Sequence, residues 1–198
     1  MTGSGSDDPL ATALIDGSAY ERVRVQRMST FDQRIPRKLH RFGWLLYLLA
    51  AALLSLAVLP PATEAVLPVD PLANSTKVLV LGLIGGSVVV AMGVALILNA
   101  LAAVRLTPMD ESTAESLLAL EEMASLIGFV IGGVVTLLTV GIVAVAHGGP
   151  GAVDALLVVT RTSPYGAAPL PFPLDSTGAG VTAWVAGLGL HLAGVLLD

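Results

Sequence analysis

Four long runs without a single Asp, Glu, Lys or Arg punctuate this chain: Phe42 to Leu59, Val78 to Val104, Ser125 to Ala146 and Val181 to Leu197. Apolar runs of about 18 or more residues read as membrane-spanning helices, and at 1.5 Å per residue each of these reaches across, or nearly across, a hydrocarbon core of roughly 30 Å. The fourth is close to the lower limit, and the second is long enough to tilt or protrude. A strand reading fails, because barrel strands alternate polar and apolar residues over about ten positions whereas these runs are apolar on every side. Helices also satisfy every backbone group within their own segment, as lipid demands. The pattern therefore predicts an all-α, polytopic membrane protein: a four-transmembrane-helix bundle over residues 42–198, preceded by an arm over residues 1–41.

Composition strengthens this picture. Of the 198 residues, 55% are hydrophobic and 13% charged, about half the charged share of a soluble domain, so one water-soluble core cannot hide the apolar side chains. There are no cysteines, which excludes disulfides, thiolate metal sites and a cysteine nucleophile.

Charge sets the expected direction. Seven of the ten Lys and Arg residues lie between Arg22 and Arg41, immediately before the first run, and positive flanks stay cytoplasmic. Arg34, Arg37, Lys38 and Arg41 are the expected topology or lipid-headgroup contacts. Both termini are then cytoplasmic and the protein belongs to the cell membrane as a multi-pass chain. Connections 60–77 and 147–180 are external, and connection 105–124 is internal. Trp44, Tyr47 and Trp184 fit interfacial aromatic belts. The alternative, a cleaved signal peptide ending at "ATEA" (62–65), requires a basic leader and an apolar run longer than such peptides have.

Outside the spans, Asp8 before Pro9, Ser18 with Glu21 and Ser29 with Asp32 predict short cytoplasmic helices in the arm. "MTGSGSDD" at the start has the composition of a frayed terminus. The arm interleaves Tyr20 and Phe31 with arginines and can lie along anionic lipid. Ser112 and Glu115 form a capping box, so a helix begins there and continues into the third span. The acids Asp110, Glu111, Glu115, Glu121 and Glu122 share the membrane side of the basic arm, and the two can pair. The 147–180 connection, with Gly and Pro at both ends of an apolar Ala155 to Val159, is expected to form a short helix or strand and to act as a lid. "NST" at 74–76 is a glycosylation sequon on the expected external side.

Small residues four apart predict close helix packing: Gly82 with Gly86, Gly128 with Gly132 and Thr136, and Ala179 with Ala183 and Gly187. Asn99 and His191 are the strongly polar side chains deep in the runs, and each is expected to face another helix. A haem held by His147 and His191 fails on depth, and His40 is expected on the opposite side; no metal or other cofactor is predicted. Carboxylates are missing from the runs, as are nucleotide-binding, nucleophile-elbow and zinc-protease motifs, which disfavours pumps and enzymes. Nucleic acid is not an expected partner. The expected function is a non-catalytic structural or accessory subunit of a membrane assembly, with the bilayer and itself or another membrane protein as partners. A small transporter or channel component is the alternative, and it requires Asn99, Thr136, Thr139 and His191 to converge on one cavity.

Overall fold

The computed structural model describes residues 33–106, 108–169 and 175–198. The helix starts expected within residues 1–32 lie outside the described residues. Among the described ones, four helices are long and apolar enough to cross a membrane: Ile35–Val58, Lys77–Arg105, Glu111–His147 and Ser176–Leu196.

Helix α1 (Ile35–Ser55) continues as a 3₁₀ turn, Leu56–Val58. A short α2 (Pro61–Glu64) follows, then α3 (Lys77–Arg105). The third spanning unit is one continuous helix, α4 (Glu111–Leu126) joined through a π-helical stretch, Ile127–Gly133, to α5 (Val134–His147). Asp110 precedes it, taking hydrogen bonds from the Ser112 hydroxyl that hold its carboxyl below the usual range. Helices α6 (Pro150–Thr160) and α7 (Ser176–Leu196) complete the chain. Asp175 caps α7 by accepting from the Gly178 amide at 2.6 Å.

Helix α1 begins seven residues earlier than its uncharged run. Pro36 suits a first turn because its missing N–H is one that a helix start leaves unpaired anyway. Burial follows a helical period from that turn on, through Ile35, Lys38, Leu39, Phe42, Leu46, Leu49 and Leu53. This stripe puts α1 at the centre, in contact with α3, α5 and α7.

The closest packing is between antiparallel α1 and α7. Gly180, Gly187 and Gly194 recur every seven residues and sit against the Ala50 carbonyl, the Gly43 carbonyl and the Pro36 carbonyl, respectively. Every heptad returns a side chain to nearly the same azimuth, so three small residues keep the two backbones in touch along the whole crossing. The expected stripe on α7 is thereby extended. Ala183 and Gly187 are buried, but Ala179 is only half-buried, and Gly180 and Gly194 carry the rest. On the other side, Thr136 Oγ1 and the Thr136 amide lie 2.9 Å from where a Cβ on Gly85 would stand, which registers α3 against α5.

At the loop end of the bundle, residues 161–169 form a cover. Thr76 bridges antiparallel to Ala167, the Lys77 amide donates to the Gly166 carbonyl, and the Val78 amide donates to the Pro164 carbonyl. Tyr165 is buried and its hydroxyl donates to the Ile142 carbonyl at 2.6 Å. Loss of water around the ring pushes the phenol up to about 12. With an unfolded phenol near 10, the folded form holds its proton more tightly. The stability it contributes is complete below pH ~10 and falls as pH rises from there toward 12. An absorbance titration should show the wild type ionising later than an unfolded control, and Tyr165→Phe should remove that late component.

Candidate functional site

The strongest electrostatic feature lies at the end of the bundle where α1 starts and α7 finishes. Lys38 Nζ donates to Glu121 Oε1 at 2.7 Å, and the two side chains are 2% and 4% exposed. Glu121 belongs to the buried face of α4 with Ala114, Leu118 and Ser125, spaced three or four apart. The Ser125 hydroxyl donates to the Glu121 carbonyl at 2.6 Å. Each of these two buried charges offsets the desolvation of the other, and removing either weakens the hold on its partner.

This revises the expectation for Lys38. Arg34, Arg37 and Arg41 are exposed around the start of α1, as a topology flank should be. Lys38 instead points inward and spends its charge on Glu121. Among the described residues, this buried pair joins the basic flank to the acidic helix, a meeting that the charge pattern led us to expect. Glu122 is only half-buried.

A second polar cluster lies where α1 meets α7. The rings of His40 and His191 meet edge to face with centroids 4.4 Å apart, and Tyr47 lies 6.3 Å from His191. His40 Nδ1 is 2.7 Å from the Pro36 carbonyl, so a proton on Nδ1 is donated there. His191 Nδ1 is buried and has no hydrogen-bond partner among the described residues. The expected separation of His40 from His191 is therefore corrected: α1 starts at Ile35 and α7 runs back to Leu196, which brings both histidines to the terminal end. Tyr47 is half-buried, its ring 5.7 Å from that of Trp44 as well as 6.3 Å from His191, and Trp44 and Trp184 are 65% and 51% exposed. His147 lies at the other end. Ser55 Oγ donates to the Ala52 carbonyl and so accepts from His147 Nε2 at 2.9 Å. Among the described residues, no three His, Asp, Glu or Cys side chains group closely enough to hold a metal.

Asn99 is 1% exposed, and neither its Oδ1 nor its Nδ2 has a partner among the described residues. The contacts of Gly85 with Thr136 and of Gly132 with Val89 set α3 antiparallel to the third unit. Continued inward, this register places Asn99 within about a turn of the level of Glu121 and Ser125.

Gly128 and Gly132 pack as expected. A Cβ on Gly128 would overlap the Phe42 ring, and one on Gly132 would come within 2.8 Å of Val89 Cγ2. Both lie in the π-helical stretch, where the wider turn admits these two side chains. No periodicity in the sequence announces that stretch.

Between α1, α3 and α7 runs an apolar groove of about 380 Å³, floored by Leu46, Leu49 and Leu53 and edged by Ser87, Ala91 and Thr182. Asn99, Thr136, Thr139 and His191 do not line it. Thr139 bonds its own helix at the Val135 carbonyl. Compared with protein-family models, curated proteins and solved structures, the chain finds no match in any of the three.

Proposed function

We propose that this chain is a non-catalytic integral membrane protein of the cell membrane, with both termini in the cytoplasm, serving as a structural or accessory subunit that assembles with itself or with another membrane protein. The observation that carries the reading is a pair of glycines. Most glycines within the spanning helices face a neighbouring helix at close range, but Gly141 in α5 and Gly189 in α7 have nothing within 4 Å of a would-be Cβ. A mid-helix glycine costs roughly 1 kcal/mol of helix propensity relative to alanine. At Gly141 and Gly189 no packing among the described residues offsets that cost, and a flat spot on a lipid-facing helix admits a neighbour's backbone closely.

The polar chemistry points the same way. Lys38 with Glu121 and Ser55 with His147 tie helices together at opposite ends, as struts do. A transporter component, the alternative, draws on the buried polar atoms of Asn99, Thr136 and His191 that lack a hydrogen-bond partner among the described residues, and these residues do not line the groove.

Gly141→Leu and Gly189→Leu test the proposal. Each should leave the isolated chain as stable as before or more stable by up to about 1 kcal/mol, from helix propensity. Each should also lower the mass of the complex recovered from membranes in mild detergent. A chain that runs as a single copy without companions before and after substitution contradicts the reading.

A further inference from the structure

The continuous helix Glu111–His147 is 37 residues long, about 55 Å, whereas a hydrocarbon core takes roughly 30 Å. With His147 at one boundary, about twenty residues reach back to Ile127. The remainder, Glu111 to Leu126, then stands in the interface and the water beyond it. Yet Leu120, Met123 and Leu126 are 47%, 61% and 48% exposed there. Lipid tails do not cover apolar side chains at that level, so something else is called for.

Of these three, Met123 and Leu126 adjoin an acidic side of α4. Glu111, Glu115, Ala119, Glu122, Met123 and Leu126 follow one another at helical spacing and share a face, with acids toward its start and apolar groups toward the membrane. A crease of about 320 Å³ runs along it, lined by Ala119, Glu122, Met123, Leu126 and Ile127.

We propose that this face is the docking site of the chain's own residues 22–31, "RVRVQRMSTF". Three features of that segment match it. Arg22, Arg24 and Arg27 bring three positive charges with no acid between them, opposite Glu111, Glu115 and Glu122. Val23, Val25, Met28 and Phe31 supply apolar groups for the crease. Covalent continuity delivers the segment to the right place, because Lys38 is held on Glu121, next to Glu122, and the seven residues from Phe31 to Lys38 span at most about 25 Å. Tethering at so short a distance gives a high effective concentration, so a surface too small for a stable partner complex suffices for an intramolecular one. The two competing occupants are anionic lipid, which attracts the same arginines, and a second copy of the chain.

Because the chain has no cysteine, the contact can be read by a disulfide. Full-length Met28→Cys/Met123→Cys would be compared with Met28→Cys/Val104→Cys, Val104 being 75% exposed at the same end of α3. Both pairs would be oxidised in phosphatidylcholine vesicles with and without phosphatidylglycerol. The expected result is a disulfide within one chain for the 28/123 pair, well above the 28/104 pair in both lipids. Adding E111K, E115K and E122K should reduce it to the level of that control, and R22E, R24E and R27E on the same background should restore it. Size exclusion and thermal melting establish that the exposed substitutions leave the bundle folded. A control-level yield, indifference to charge reversal, a disulfide between two chains, or loss of the disulfide with phosphatidylglycerol would each overturn the proposal.

Discussion

Lys38→Met is expected to destabilise the bundle by about 3–5 kcal/mol, because it takes the 2.7 Å ammonium partner away from a buried carboxylate. Glu121→Leu should cost a similar amount by stranding the ammonium. The double substitution Lys38→Met/Glu121→Leu, in contrast, should be close to neutral or even stabilising, because it removes two desolvation penalties together with the attraction that offset them. The two single effects are thus strongly non-additive, and a double-mutant cycle on thermal or chemical unfolding in detergent reads that coupling directly. Additive losses, or singles costing under ~1 kcal/mol, would place the pair in a hydrated environment where exposed ion pairs behave that way. Structurally, the pair fixes the start of α1 to α4.

The second large effect concerns the α1–α7 seam. A side chain at Gly43 would meet the Gly187 carbonyl at 3.0 Å, and one at Gly187 would meet the Gly43 carbonyl and the Tyr47 ring at 3.1 Å. Backbone cannot turn aside as a flexible side chain can, so the helices must separate. Overpacking of this kind costs about 1–3 kcal/mol for modest insertions. Gly43→Val and Gly187→Val should reach or exceed the top of that range. Gly141→Val on the outward face of α5 provides the comparison, since nothing among the described residues lies within 4 Å of its Cβ position. Equal losses at all three sites would mean that β-branching, and not the seam, sets the cost. Separation of α7 from α1 should also break the contact of His191 with His40, so imidazole resonances at both positions ought to shift in either seam variant.

The spanning helices were legible because hydrocarbon imposes a blunt requirement, about twenty residues without charge, that each run meets by itself. What the runs did not disclose was how far the helices continue past them. Helix α1 reaches back to Ile35 through two exposed arginines, Arg37 and Arg41, and one buried lysine. Counting charge by region treated Lys38 as one of seven equivalents. A period test would have separated it: Lys38 falls on the stripe of Leu39, Phe42 and Leu46, whereas Arg34, Arg37 and Arg41 fall off it. Glu121 likewise shares a stripe with Ala114, Leu118 and Ser125. Their pairing, 83 residues apart, remains a tertiary fact that neither stripe contains.

The histidines teach the same lesson. Measuring the depth of His191 from the outer start of its run placed it in mid-membrane, but α7 starts at Ser176 and α1 at Ile35, so His191 meets His40 near the terminal end. Spacing every four residues found Ala183 and Gly187 but missed the seven-residue recurrence of Gly180, Gly187 and Gly194, which reflects a long shallow crossing. The π-helical stretch left no trace beyond its glycines, two of which face the Phe42 ring and Val89 of two other helices.

Everything proposed for this chain depends on four helices crossing a bilayer with the arginine-rich start inside. Single cysteines in this cysteine-free protein measure it most directly: Asn74→Cys, Ser112→Cys and Thr162→Cys, all at exposed positions in connections or at a helix start. With a membrane-impermeant maleimide applied to intact cells, positions 74 and 162 should label and position 112 should label only after the membrane is opened. Labelling at 112 with silence at 74 and 162 would contradict the orientation, and equal labelling of all three in a fraction released without detergent would contradict insertion itself.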